Sequence, residues 1–140
     1  GFDTVQRCLR AVPDVDFTPI DGLAEDAVAA RLKQAGIFLA TAAGEWFGLP
    51  ALEALAAGCV VLSVPVKGGM EYLHHDRNAL VVAPAEMSAA LEAITRPAAR
   101  DRRTMLRSRA IATASTYRRA VQRRHLAATV RTSAWRQAVA

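Results

Sequence analysis

One stretch constrains this chain more than any other: Glu45-Trp46-Phe47-Gly48-Leu49-Pro50-Ala51-Leu52-Glu53-Ala54-Leu55-Ala56-Ala57-Gly58. Two carboxylates, Glu45 and Glu53, stand eight positions apart across a Gly-Leu-Pro turn. Pro50 suits the first position of a helix, where its missing N–H would be unpaired in any case. Ala51 to Ala57 are strong helix formers, and Gly58 is a natural C-terminal stop. Glu45 therefore falls in the loop before the helix, and Glu53 about one turn inside it. Unpaired N–H groups at Gly48 and Leu49 would face out of the helix N-terminus. Free donors and the helix dipole together make that end an anion site. A diphosphate flanked by two hydroxyl-seeking carboxylates describes a bound nucleotide sugar.

Apolar runs bracket the stretch, Ile37 to Thr41 before it and Cys59 to Val64 after it. They read as buried strands. Glu25 to Ala35 reads as an amphipathic helix with Ala24, Val28, Leu32 and Ala35 on one face, stopped by Gly36. Phe2 to Leu9 has helical character ended by Pro13, and Val15 to Phe17 is a short strand candidate. Pro65 to Gly69 reads as a turn, and Ala79 to Val82 as a fourth strand. Helices follow from Ala85 to Ile94, from Ala99 to Ala114 and from Tyr117 to Arg136. Apolar strands alternating with helices predict an α/β fold, a Rossmann-like parallel sheet with helices on both faces. Ligands in such sheets bind beyond the carboxyl ends of the strands. The loops carrying Glu45 and Lys67 to Glu71 would meet over one crevice there.

The chain of 140 residues supports one domain with a real core. Its apolar content argues against disorder. No apolar run reaches the roughly 18 to 20 residues that span a bilayer, and no secretory signal is visible. Cys8 and Cys59 lie far apart in apolar settings and read as reduced core residues of a cytoplasmic protein. Charge is split unevenly. Residues 1 to 95 hold 6 basic and 12 acidic side chains, whereas residues 96 to 140 hold 12 arginines and one aspartate. The whole-chain pI describes neither part. Residues 96–140 read as a basic helical tail that packs on the domain or on a neighbouring one. Such a tail suits phosphate groups, an anionic membrane face, or an acidic partner.

The motif is similar to the Glu-x7-Glu signature of the family 4 retaining glycosyltransferases, which have the two-domain GT-B fold. The usual form is close to Glu-Gly-Phe-Gly-Leu-Pro-x-x-Glu-Ala-Met-Ala-x-Gly. Here Trp46 replaces the first glycine and Leu55 replaces the methionine. Lys67-Gly68-Gly69-Met70-Glu71 and Asn78-Ala79-Leu80-Val81-Val82 resemble the family's Gly-Gly-x-x-Glu and Asn-Gly-Leu-Leu-Val segments, with Glu71 one position early. The resemblance covers residues 15 to 135. It implies transfer of a sugar, with retention, from a nucleoside diphosphate to an acceptor hydroxyl. It makes Glu45 the catalytic carboxylate at the sugar and Glu53 the acceptor for the ribose hydroxyls. Phe47, Gly48, Leu49, Pro50, Lys67, Gly68 and Gly69 complete the donor site by the same implication. Carboxylates suit these roles because, when ionised, they only accept hydrogen bonds. No metal or other cofactor is expected.

The chain, beginning with glycine, would then be one incomplete donor-binding domain lacking the N-terminal GT-B domain. As an isolated piece it is expected to be inactive in transfer. The alternative is a noncatalytic sugar-nucleotide-binding module or a truncated remnant. A cytoplasmic site, peripheral at the inner membrane face, and a phosphate-bearing acceptor both fit the basic tail.

Other motifs read plainly. Asp14-Val15-Asp16 lacks the companions of an oxygen cage. His74-His75-Asp76 reads as a solvated turn, because adjacent histidines rarely converge on one metal. His125 belongs to the basic tail. That tail's Arg118-Arg119 and Arg123-Arg124 pairs, with Val121, Leu126, Val130 and Trp135 between them, lack a reader for bases, so no specific nucleic acid is expected.

Overall fold

The computed structural model describes residues 1–42, 44 and 48–118. Three strands form its sheet: β1 (Ile37–Ala40), β2 (Val60–Ser63) and β3 (Leu80–Val81), all parallel and in that order. Ile37 pairs with Val60 and Ala40 with Ser63, and Leu62 pairs with Leu80. All four residues of β2 are buried. Alternate strand residues face opposite sides of a sheet, so both faces of β2 are covered. This explains why its sequence is apolar throughout rather than alternating.

The helices are α1 (Phe2–Ala11), α2 (Glu25–Gln34), α3 (Leu49–Ala57), α4 (Met87–Thr95) and α5 (Arg100–Thr116). Helix α3 joins β1 to β2 and packs on both, and α4 and α5 also rest on β2. Helix α1 packs on α4, and α3 packs on α2 and α5. The core gathers Leu55, Val60, Leu62, Leu80, Leu91 and Leu106 with their neighbours. Full burial of each such side chain contributes about 1.5–3 kcal/mol.

Helix α3 ends as its glycine requires. Gly58 adopts φ 80°, its N–H donates to Leu55 O at 3.1 Å, and Cys59 N–H donates to Ala54 O at 3.0 Å. This pair of bonds is a Schellman closure, which a left-handed glycine completes without a Cβ penalty. The Arg107 guanidinium donates to Gly58 O at 2.7 Å, and a cation there also suits the dipole. Arg103 serves α4 in the same way, donating at 2.7 Å to both Ile94 O and Arg96 O. Arginines of α5 thus act as caps on neighbouring helices. The composition alone presents them as surface charge.

The structure corrects four details. Val15 to Phe17 is not a strand. Val15 N–H turns back to Val12 O at 3.1 Å, and no strand of the described sheet pairs with this segment. Its residue Phe17 packs on the core instead. Pro50 is the second helical residue rather than the first, since Leu49 opens α3. Ala24 is exposed, while Val28, Leu32 and Ala35 keep to the core side as expected. Tyr117 closes α5, its N–H bonded to Ala114 O at 3.0 Å, and so does not open a new helix. The stripe from Val121 to Trp135 lies outside the described residues.

Cys8 and Cys59 are both buried, unpaired thiols. Burial pushes both thiols above their ordinary pKa, with Arg7 and Arg107 respectively pulling the other way. Cys59 Sγ donates to Leu32 O at 3.2 Å and ties the start of β2 to α2.

The turn after β2 is packed as tightly as the core. A Cβ at Gly69 would stand 2.4 Å from Val66 Cγ2 and 3.3 Å from Leu73 Cδ1. Gly69→Ala is therefore expected to cost about 1–3 kcal/mol through overpacking. A urea titration should show an earlier midpoint at unchanged slope.

Candidate functional site

The site is built where β1 and β2 end and α3 begins. A crevice of about 630 Å³ opens there, lined among others by Thr41, Gly48, Pro50, Glu53, Ser63 and Val66. Ile20 and Asp21 line it too. An α/β sheet puts its ligand crevice at this end of the strands.

Gly48 is the N-cap of α3 with φ 72° and ψ 43°. Only glycine adopts this left-handed conformation without cost. Its carbonyl accepts Ala51 N–H at 3.0 Å and Leu52 N–H at 3.3 Å. Pro50 carries no N–H. Among the described residues the N–H groups of Gly48 and Leu49 meet no acceptor. The helix start leaves these two donors without an intrahelical partner.

Glu53 stands one turn further along α3 with an exposed side chain. It makes no hydrogen bond or ion pair within the described residues. Val66 brings the loop after β2 to the same crevice, while Lys67, Gly68 and Gly69 sit just past its lining. Lys67 is exposed, Gly68 is half-buried, and Gly69 is buried against Val66 and Leu73. The structure thus brings together Gly48, Pro50 and Glu53, with Leu49 adjoining them in α3. Glu45, Trp46 and Phe47 lie outside the described residues.

The reading of single positions missed two side chains. Tyr72 is 1% exposed, and its hydroxyl donates to Gly48 O at 2.5 Å. Asn78 is equally buried. Its Oδ1 accepts His74 N–H at 2.8 Å, and its Nδ2 donates to Tyr72 O at 2.7 Å and to Thr113 Oγ1 at 2.9 Å. A buried tyrosine hydroxyl needs a partner, but nothing in the local sequence says that the partner is 24 residues away.

The remaining motifs serve the fold. His75 Nδ1 accepts Val81 N–H at 3.1 Å, and its Nε2 lies 3.3 Å from Asp76 Oδ2. Asp76 also pairs with Arg102, and this hydrogen bond is the main cause holding its carboxyl below the usual range. Because the folded pKa is lowered, the pair stabilises the fold above the unfolded carboxylate pKa of about 3.9. That contribution is lost as pH falls through the lower folded value. Asp76 has φ 56°, which asparagine tolerates. Asp76→Asn should therefore cost at most about 1 kcal/mol at neutral pH. Urea titrations of both proteins should converge at the acid end. Among the described residues no group of three or more His, Cys, Asp or Glu side chains could hold a metal ion. Among them, too, no helix is long and apolar enough to cross a membrane.

Fold and crevice together define a Rossmann-like α/β domain with its cleft at the carboxyl edge of a parallel sheet. The family model for glycosyl transferases group 1 matches residues 15–114, and the chain belongs to that family. No curated protein sequence matches it significantly. Among the solved structures that share the fold are these three. Anabaena HepE in complex with UDP and glucose has a TM-score of 0.70 at 18% identity, over 94% of this chain and 36% of that one. Anabaena HepE with UDP-glucose gives 0.58 at 22% identity, over 64% and 25%. The C-terminal domain of a glycosyl transferase group 1 family protein, LpcC, from Francisella tularensis gives 0.60 at 18%, over 81% and 62%. This chain thus spans from a quarter to under two thirds of the lengths of those chains.

Proposed function

We propose that this chain is the donor-binding half of a retaining glycosyltransferase of the GT-B type. The reaction moves a sugar from a nucleoside diphosphate to an acceptor hydroxyl. The observation that carries the reading is one crevice lined by both the left-handed helix start at Gly48 and the carboxylate of Glu53, which has no partner among the described residues. Family membership and the UDP-sugar complex of a structural neighbour support it.

In this reading the diphosphate meets the N–H groups of Gly48 and Leu49. Glu53 accepts the ribose hydroxyls. The base lies toward Ile20 and Asp21. Glu45 stands at the transferred sugar, where a carboxylate orients hydroxyls or stabilises charge near the anomeric carbon. Lys67 and the Gly68-Gly69 turn face the sugar and phosphates from the next loop. As the bond to the sugar breaks, negative charge grows on the diphosphate. Preorganised N–H dipoles lower the energy of that state. No metal takes part, and the acceptor is held by a second domain.

Thermal-shift titration with UDP, GDP, ADP and TDP tests the proposal. One nucleoside diphosphate is expected to raise the melting temperature in a concentration-dependent way, because a ligand that binds only the folded state stabilises it. A folded chain that responds to none of the four would count against the proposal.

A further inference from the structure

The loop after β2 reaches back to the start of α3 through one buried side chain. Tyr72 donates its hydroxyl to Gly48 O at 2.5 Å. Its ring packs edge-on against Tyr117 at the end of α5, with centroids 5.7 Å apart. Its backbone carbonyl accepts Asn78 Nδ2, which also donates to Thr113 Oγ1 of α5. A continuous path therefore runs from half-buried residues of α5 through the buried Asn78 and Tyr72 to the N-cap of α3.

The path ends on a peptide that matters. Gly48 C=O and Leu49 N–H belong to one planar trans unit, so they point in opposite directions. Fixing the carbonyl fixes the aim of the N–H. The carbonyl already accepts two helical N–H groups. A further, short bond from a hydroxyl draws density out of the peptide and makes its N–H a stronger donor.

We propose that Tyr72 is a positioning residue for the diphosphate of a bound nucleotide. Its hydroxyl aims and polarises the Gly48–Leu49 peptide, so that Leu49 N–H meets the phosphate oxygens. The inference rests on the nucleotide reading of the crevice. Tyr72 itself is buried and touches no ligand. Asn78 and Tyr117 hold its two ends, which makes the order of α5 a condition for the aim of the donor.

The test is Tyr72→Phe in the full chain, read by two measurements. The first is amide hydrogen exchange. The variant should exchange faster at Ala51 and Leu52, whose N–H groups donate to the same Gly48 carbonyl, with β2 amides unchanged. The second is calorimetric binding of UDP and of uridine. UDP should bind about three- to tenfold more weakly, the worth of one net hydrogen bond, while uridine binding should hold. Unchanged exchange at Ala51 and Leu52 overturns the proposal whatever the binding shows. Equal weakening of UDP and uridine also overturns it, since that is general loosening. If neither protein binds UDP, GDP, ADP or TDP but local exchange rises, the tie to Gly48 stands and the nucleotide reading fails.

Discussion

Glu53→Ala is expected to weaken nucleoside diphosphate binding by about ten- to hundredfold, the worth of hydrogen bonds to a charged group. The unliganded protein should hardly notice. Glu53 is exposed and unpartnered within the described residues, and surface changes of this kind stay within about 0.5 kcal/mol. The two readouts therefore separate. A carboxylate that merely decorated a helix would leave both unchanged, and one that held the fold would move both. Glu53→Gln should fall between, since the amide keeps one acceptor oxygen but loses the charge. Calorimetry with the nucleotide that best stabilises the chain decides among these.

Asn78→Ala has the opposite profile, a large loss of stability. One side chain serves His74 N–H, Tyr72 O and Thr113 Oγ1. Alanine leaves the buried Tyr72 carbonyl and the His74 amide short of partners. Each unsatisfied buried group costs about 1–3 kcal/mol. Some water reaches the exposed His74 turn, so a total of about 2–3 kcal/mol is expected. A urea titration should show the midpoint falling with the slope unchanged. A loss under half a kcal/mol would mean that the network relaxes around the gap.

The three strands and five α-helices of the described residues follow patterns that one dimension can hold. The apolar run from Val60 reads as a strand covered on both faces, and it is one. Pro50 and Gly58 bracket α3 because each residue's backbone favours one end of a helix. What the sequence hides is what depends on distance. Val15 to Phe17 has the composition of a strand, but a strand needs a ladder, and β1 offers none to it in the described sheet. The link from Tyr72 to Gly48 crosses from one loop to another. Arg103 and Arg107 look like surface charge until α4 and α3 present their carbonyls. The part of the site that the motif made legible was the helix start with Glu53. What holds that helix start in place comes from residues 72 and 78, which no short motif joins to it.

In the proposed function a nucleotide sits at the carboxyl edge of β1 and β2, over the start of α3. Amide chemical-shift mapping tests it most directly. The 15N-labelled chain is titrated with UDP, and with GDP, ADP or TDP if one of them is the stabilising nucleotide. The largest movements are expected at Gly48, Leu49, Ser63 and Val66, with Ile20 and Asp21 following the base. Arg77 and Arg109 line a separate cleft with Asn78 and Thr113; movements confined to it, with Gly48 and Leu49 still, would contradict the proposal, because the phosphates would then be held by arginines and not by the helix start.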